Sequence, residues 1–181
     1  MNKLRRWTVR LLLALAVAIP LAALGMYWIN PFGARSYDPR QRLLGYSPYR
    51  VPSRSMSPTI ERGQIVIASA GYYRKHSPER GDIVIFLVSD GNSWIKRVVG
   101  LPGERIAIDH GVVRIDGHEL DEDYLDPGNV VTGYSREMPM QEVPENSYFL
   151  LGDNRDNSED ARLLGATPRD DLTGKVVAIF E

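Results

Sequence analysis

The 181-residue chain contains no cysteine. That absence removes a disulfide framework, a thiolate nucleophile and any zinc site built on thiolates. Histidine is scarce too: His76, His110 and His118 are the three in the chain, each at a turn or a polar edge. His118-Glu119 opens a metalloprotease-like pair, but Glu122 stands where the second histidine belongs. Asn154-Arg155-Asp156-Asn157-Ser158 has the composition of a calcium loop. Read from Asp153, Asn154 or Asp156, it lacks glycine at the sixth position and glutamate at the twelfth. No glycine-rich phosphate or dinucleotide motif is present. Excess charge is missing as well, since 22 Lys and Arg meet 23 Asp and Glu for a net charge of -1. A nucleic-acid binder needs a basic face, so that class is excluded. A nucleophilic enzyme with this inventory must use Ser or Thr with a base other than histidine, and lysine is the available one.

The charge that is present is unevenly placed. Residues 1–30 carry Lys3, Arg5, Arg6 and Arg10 and no acid, a charge of +4, which leaves -5 for the rest. From position 11 to 29 run 19 uncharged residues, mostly Leu and Ala. A bilayer-spanning helix needs about 20, so this stretch is long enough. Trp7 precedes it, and Tyr27 and Trp28 close it, where amphipathic rings favour the lipid–water boundary. A cleavable leader has the same basic start and apolar middle, and Ala23-Leu24-Gly25 offers it a small-x-small site. Apolar and aromatic residues continue past that site, which favours a retained anchor. The basic residues immediately flanking the segment favour the N-terminus inside and the body outside, a bias that Arg35, Arg40, Arg42 and Arg50, which follow within reach of the membrane surface, work against. Residues 30–50, with three prolines, two glycines and Arg35, Arg40, Arg42 and Arg50, read as a solvated linker, with contact of its arginines to anionic head groups as the second reading.

Beyond residue 50 the apolar runs are short, β-branched and separated by turn residues, which predicts strands. Residues 64–68 (QIVIA), 82–88 (DIVIFLV) and 93–99 (SWIKRVV) are the first three. The first two follow the same tripeptide, Glu61-Arg62-Gly63 and Glu79-Arg80-Gly81. Residues 105–109 and 112–116 flank His110-Gly111 as a hairpin. Residues 147–151 and 175–180 are the last strands, and 120–146 read as an irregular acidic stretch.

Three segments carry the chemistry. They are Pro52-Ser53-Arg54-Ser55-Met56-Ser57-Pro58-Thr59, then Trp94-Ile95-Lys96-Arg97-Val98-Val99-Gly100-Leu101-Pro102-Gly103, and then Gly152-Asp153-Asn154-Arg155-Asp156-Asn157-Ser158-Glu159-Asp160. Together they resemble the signature boxes of bacterial type I signal peptidases, the membrane-bound Ser-Lys endopeptidases, and Arg80-Gly81-Asp82-Ile83-Val84 resembles a fourth, structural box. The order of membrane segment and boxes is also the family's. The residues agree physically. A lysine inside an apolar strand is costly unless it meets solvent, finds a partner or loses its proton. Burial lowers its pKa toward the neutral amine that a general base must be. At a period of two, Trp94 shares the face of Lys96 and helps exclude water. An exposed edge-strand lysine is the bland alternative.

The resemblance implies Ser55 as nucleophile, Lys96 as general base and the Ser53 hydroxyl in the oxyanion hole. It implies Ser158 as the residue that orients the lysine, with Asp153 and Arg155 as structural support. Two positions depart from the pattern: Arg54 replaces a common glycine, and Ala161 a common serine. The implied fold is mainly β, two antiparallel sheets around one core with a small inserted β-hairpin subdomain, preceded by one N-terminal transmembrane helix. The expected organisation is a cytoplasmic basic tail at 1–10, an anchor at 11–29, a linker at 30–50 and a catalytic domain at 51–181 with an insertion about 105–146. The implied activity is removal of signal peptides from exported preproteins, cutting after small residues at the first and third positions before the bond. The implied place is the cytoplasmic membrane, single-pass, with the catalytic domain outside. Preprotein signal peptides and membrane lipid are the expected partners, with no nucleic acid, metal or cofactor. A specialised peptidase for conjugation or pilus subunits shares this chemistry. A repressor-type Ser-Lys autopeptidase fits less well, and a catalytically dead binding module is opposed by intact Ser55 and Lys96.

Overall fold

The computed structural model describes residues 3–89 and 91–181. Its first element is α1 (Lys3–Ile29), whose stretch Arg5–Ile29 is apolar and long enough to cross a membrane. Its apolar surface is unburied, and its last turn touches the body through Tyr27, which donates to Tyr37 O at 3.0 Å and lies under the Arg42 guanidinium. An apolar and unburied helix of this length is consistent with a membrane anchor. Pro20 lies inside it without ending it.

The stretch read as a linker is structured. Asp38 caps the short helix α2 (Pro39–Leu44) through the Arg40 amide, and Gly45 closes it in the left-handed region. Strand β1 (Tyr46–Arg50) follows and pairs antiparallel with β2 (Ile65–Ala70), so the sheet begins inside the expected linker. Pro48 hid this strand, but β1 lies at the edge of its sheet, where a missing N–H costs no ladder bond.

The remaining strands are β3 (Ile83–Leu87), β4 (Ser93–Gly100), β5 (Arg105–Asp109), β6 (Val112–Ile115), β7 (His118–Glu119), β8 (Met138–Glu142), β9 (Ser147–Leu151), β10 (Thr167–Pro168) and β11 (Leu172–Phe180). Helices α3 (Gly133–Arg136) and α4 (Ala161–Leu164) are single turns. Seven strands form one sheet in the order β1-β2-β11-β3-β4-β9-β10, and four form a second in the order β7-β6-β5-β8. Every recorded pairing is antiparallel. The second sheet is the insertion itself. Its β5–β6 hairpin turns through His110 and Gly111, both at positive φ, as a two-residue turn requires. The acidic stretch is less irregular than its composition suggests, because β8 pairs with β5 there.

One apolar cluster joins the sheets: Val99, Phe149 and Leu151 from the large sheet meet Ile106, Ile108, Val113 and Met138 from the small one. Truncating a fully buried member such as Leu151 to Ala costs about 2–5 kcal/mol. This packing fixes β4 and β9 side by side, with Arg97 opposite Leu151. The loop that leaves β9 therefore begins beside Lys96 and Arg97.

Candidate active site

Residues 52–59 form a turn-rich loop between β1 and β2. Val51 N donates to Gln64 O and Gly63 N to Val51 O, at 2.9 and 2.8 Å, which closes the base of the loop. Met56 and Ile60 plug into a buried cluster with Val51 and Val66 beneath it. Anchored so, the loop presents Ser53 exposed and Ser55 half-buried, with their hydroxyl oxygens 3.2 Å apart.

Lys96 reaches this loop from β4, where it pairs with Val84 on β3. It is 4% exposed, and its Nζ donates to Ser55 Oγ at 3.1 Å. The Trp94 ring lies on the same face, 5.4 Å from the amine. Burial lowers the Lys96 pKa to about 8, opposed by the more distant negative charges of Asp160, Asp153 and Glu159. Once neutral, the amine accepts a hydrogen bond from the same hydroxyl, which is the arrangement of a nucleophile and its base.

The loop after β9 makes the third wall. Asn154 N donates to Ser55 O at 3.1 Å, tying this loop to the backbone of Ser55. Gly152 permits the approach: a Cβ there would stand 2.5 Å from Ser55 O and 2.1 Å from Ser158 Oγ. Ser158 is buried beside Lys96 in the same cleft, and its hydroxyl has no hydrogen-bond partner among the described residues. The cleft holds about 580 Å³, and Met56, Ile85 and Ile95 give it apolar walls.

Asp153 and Arg155 sit behind the cleft. Asp153 takes two hydrogen bonds from Arg97, at 2.9 and 2.6 Å. The Arg155 guanidinium, fully buried, donates to both oxygens of Glu122 and to Gly152 O. Tyr124 donates to Glu122 and lies under Arg97, 3.8 Å from ring centroid to guanidinium carbon. Asp160 receives the Gly152 amide at 3.0 Å and two Arg162 nitrogens at 2.8 Å. Bidentate pairs of this kind are how a buried charge is tolerated.

The structure thus brings together Ser53, Ser55, Lys96 and Ser158 at one cleft and places Asp153 and Arg155 in the frame behind it. Arg97, Glu122, Tyr124, Asp160 and Arg162 were not singled out from the sequence. Arg97 carried a signal all the same, a second cation inside an apolar strand. Glu122 and Tyr124 come from the acidic stretch and gave none. Asp109, His110 and Glu137 bring possible ligand atoms within 4.8 Å of one another, but all three are exposed and none lines the cleft.

Comparison with known proteins gives a consistent set of likenesses. The sequence profile described as "Signal peptidase, peptidase S26" matches residues 4–181. The protein named "Probable signal peptidase I-2" of Synechocystis sp. is 36% identical over 137 residues, 72% of this chain and 61% of that protein. The chain therefore spans less than two thirds of that relative's length. Signal peptidase IB of Staphylococcus aureus is 30% identical over 143 residues, 72% of this chain and 75% of its own. A solved signal peptidase I from Enterococcus faecalis V583 is 30% identical, with a TM-score of 0.48 over 56% of this chain and 98% of that one.

Proposed function

The chain belongs to the signal peptidase, peptidase S26 family, and from that premise we propose that it is a membrane-anchored serine endopeptidase that removes signal peptides from exported preproteins. The observation that carries this reading is the buried Lys96 amine 3.1 Å from the Ser55 hydroxyl at an apolar cleft.

Ser55 Oγ attacks the scissile carbonyl carbon while Lys96 Nζ takes its proton. With a pKa of about 8, roughly a tenth of the amine is neutral at pH 7, several hundredfold more than for a lysine at 10.5. The carbonyl oxygen becomes an oxyanion, held by the Ser53 hydroxyl and the Ser55 backbone N–H. Lys96 ammonium then returns its proton to the leaving amine, and the signal peptide stays esterified to Ser55. Water, deprotonated by the same amine, cleaves the ester. Ser158 lines the same cleft with its buried hydroxyl unpaired among the described residues, and in this reading that hydroxyl turns to the amine to orient it. Asp153 and Arg155 hold the surrounding frame. No step in this sequence calls on a metal or an organic cofactor, and the acidic body has no role for nucleic acid.

Small residues at the first and third positions before the cut suit a cleft whose apolar walls are shallow. In this reading residues 1–10 lie on the cytoplasmic side, 11–29 cross the cytoplasmic membrane once, and the catalytic domain lies outside. Lys3, Arg5, Arg6 and Arg10 support that orientation. Anchoring confines the cleft to the surface where the apolar part of a signal peptide also sits, which raises effective concentration. The test is to incubate the detergent-purified full chain with a preprotein ending its leader in Ala-x-Ala, beside Ser55→Ala, and map products by mass. A single cut after the second alanine, absent in the variant, is expected; a folded wild-type protein that leaves the preprotein intact contradicts the proposal.

A further inference from the structure

A second cavity, of about 320 Å³, lies where the chain leaves α1, and the peptidase reading gives it no role. Its walls carry three guanidinium groups, Arg35, Arg74 and Arg169, against the single carboxylate of Asp170. Asp170 pairs with Arg35 at 2.9 Å, and both are solvent-exposed, so the pair is weak. Among the described residues Arg74 and Arg169 have no carboxylate partner. Arg169 is aimed by the backbone instead, donating to Tyr73 O and His76 O at 3.0 and 3.1 Å. Arg74 lies flat across Gly33, where a Cβ would come within 2.0 Å of its terminal nitrogen. These are held positions, and they leave the cavity with two positive charges in excess.

The cavity is also fixed to the end of the helix. Asn30 donates its side-chain amide to Ala34 O and accepts from Ala34 N, both at 2.9 Å. That two-way clamp folds the chain back, so Arg35 stands one residue past a contact with the first residue beyond α1. Gly71, which precedes the Tyr72–Arg74 turn, packs so closely on the same segment that a Cβ would stand 2.1 Å from Phe32 O. Three arginines therefore meet at a cavity whose wall includes Gly33 and Arg35, four and six residues past the end of α1 at Ile29. Guanidinium forks match phosphate oxygens in pairs, and a bilayer presents phosphates near the ends of a spanning helix.

We propose that Arg35, Arg74 and Arg169 form a binding site for the phosphate of an anionic phospholipid at the foot of α1. The proposal rests on the reading of α1 as a membrane anchor and not on the peptidase chemistry. The site orients the catalytic body on the bilayer by holding its base to the head-group layer.

The test uses the full chain in neutral detergent, with retained phosphatidylglycerol and phosphatidylcholine counted by native mass spectrometry. Wild-type protein is expected to retain phosphatidylglycerol preferentially. Arg74→Ala weakens that retention about fivefold, the value of one arginine near an anionic surface, and leaves phosphatidylcholine unchanged. Asp170→Asn strengthens it, a gain that a misfolded variant cannot give. Millimolar inorganic phosphate leaves the lipid in place. Equal retention of the two lipids overturns the proposal, as does a lack of response to both substitutions. Displacement by inorganic phosphate assigns the site to a soluble phosphate and overturns the lipid reading. Flotation on pure phosphatidylcholine vesicles tests the anchor separately, and Ser55→Ala, inactive in cleavage, retains lipid as wild type does.

Discussion

The two faces of β4 bury two neighbouring cations and treat them in opposite ways. On the cleft face Lys96 is 4% exposed, donates to the Ser55 hydroxyl beside an aromatic ring with no carboxylate in direct contact among the described residues, and has its pKa lowered to about 8. On the other face Arg97 is 9% exposed. Burial works against its charge too, but the hydrogen bonds and charge of Asp153 outweigh it and hold the guanidinium ionised. One residue apart, the same desolvation leaves a lysine with a lowered pKa on one side, the base of the proposed mechanism, and an ion pair on the other. The difference is the carboxylate. Cleft chemistry needs a cation that burial has loosened, and the frame behind it needs one that a partner has fixed.

The largest break in this contrast comes from making the cleft cation permanent. Lys96→Arg puts a group that cannot deprotonate where the base stands, and kcat with a preprotein substrate falls by about 10⁴-fold or more while the circular dichroism spectrum stays native. Removing the carboxylate from the other face is next. Asp153→Ala leaves Arg97 buried without its partner and costs about 3–5 kcal/mol in chemical denaturation. Replacing both members with apolar residues, Arg97→Met with Asp153→Leu, recovers most of that loss, because no lone charge remains. Ser53→Ala removes the proposed oxyanion donor and is expected to lower kcat about 100- to 1000-fold without shifting the melting temperature, since this side chain is exposed.

The smallest effect sharpens the comparison most. Lys96 has a folded pKa of about 8, below the 10.5 of the unfolded chain. Between those values the unfolded state holds a proton that the folded state has released, so stability rises as pH climbs from about 8 to 10.5. Below 8 the full penalty stands. Lys96→Met therefore stabilises the protein at pH 7, by up to about 3 kcal/mol, and the gain shrinks as pH approaches 10.5. A melting series across that range for both proteins checks it.

The sequence showed the interior of the large sheet well and its margins poorly. Strands β2, β3, β4 and β9 are apolar runs bounded by turn residues; β3, β4 and β9 have consecutive residues buried on both faces, and β2 alternates between a buried and a more exposed face. The strands that escaped notice, β1, β7, β8 and β10, all lie at sheet edges, and three of them carry Pro48, Pro139 and Pro168, which an edge tolerates. The cleft was legible because Ser53, Ser55, Lys96 and Ser158 each sit in a recognisable box. Its frame was half legible. Asp153 and Arg155 were marked, but their partners lie far along the chain, Arg97 from Asp153 by 56 positions and Glu122 from Arg155 by 33. Pairing across such distances is a property of packing and not of local pattern. The arginines after α1 were read as a solvated linker because the clamp between Asn30 and Ala34 leaves no mark in composition.

The claim that burial without a carboxylate makes Lys96 a base is tested most directly by the pH dependence of kcat/KM for preprotein cleavage. The account predicts a rate that climbs about tenfold per pH unit and levels off with a midpoint near 8. A midpoint near 10.5, the ordinary value for lysine, or a rate indifferent to pH over this range, contradicts it.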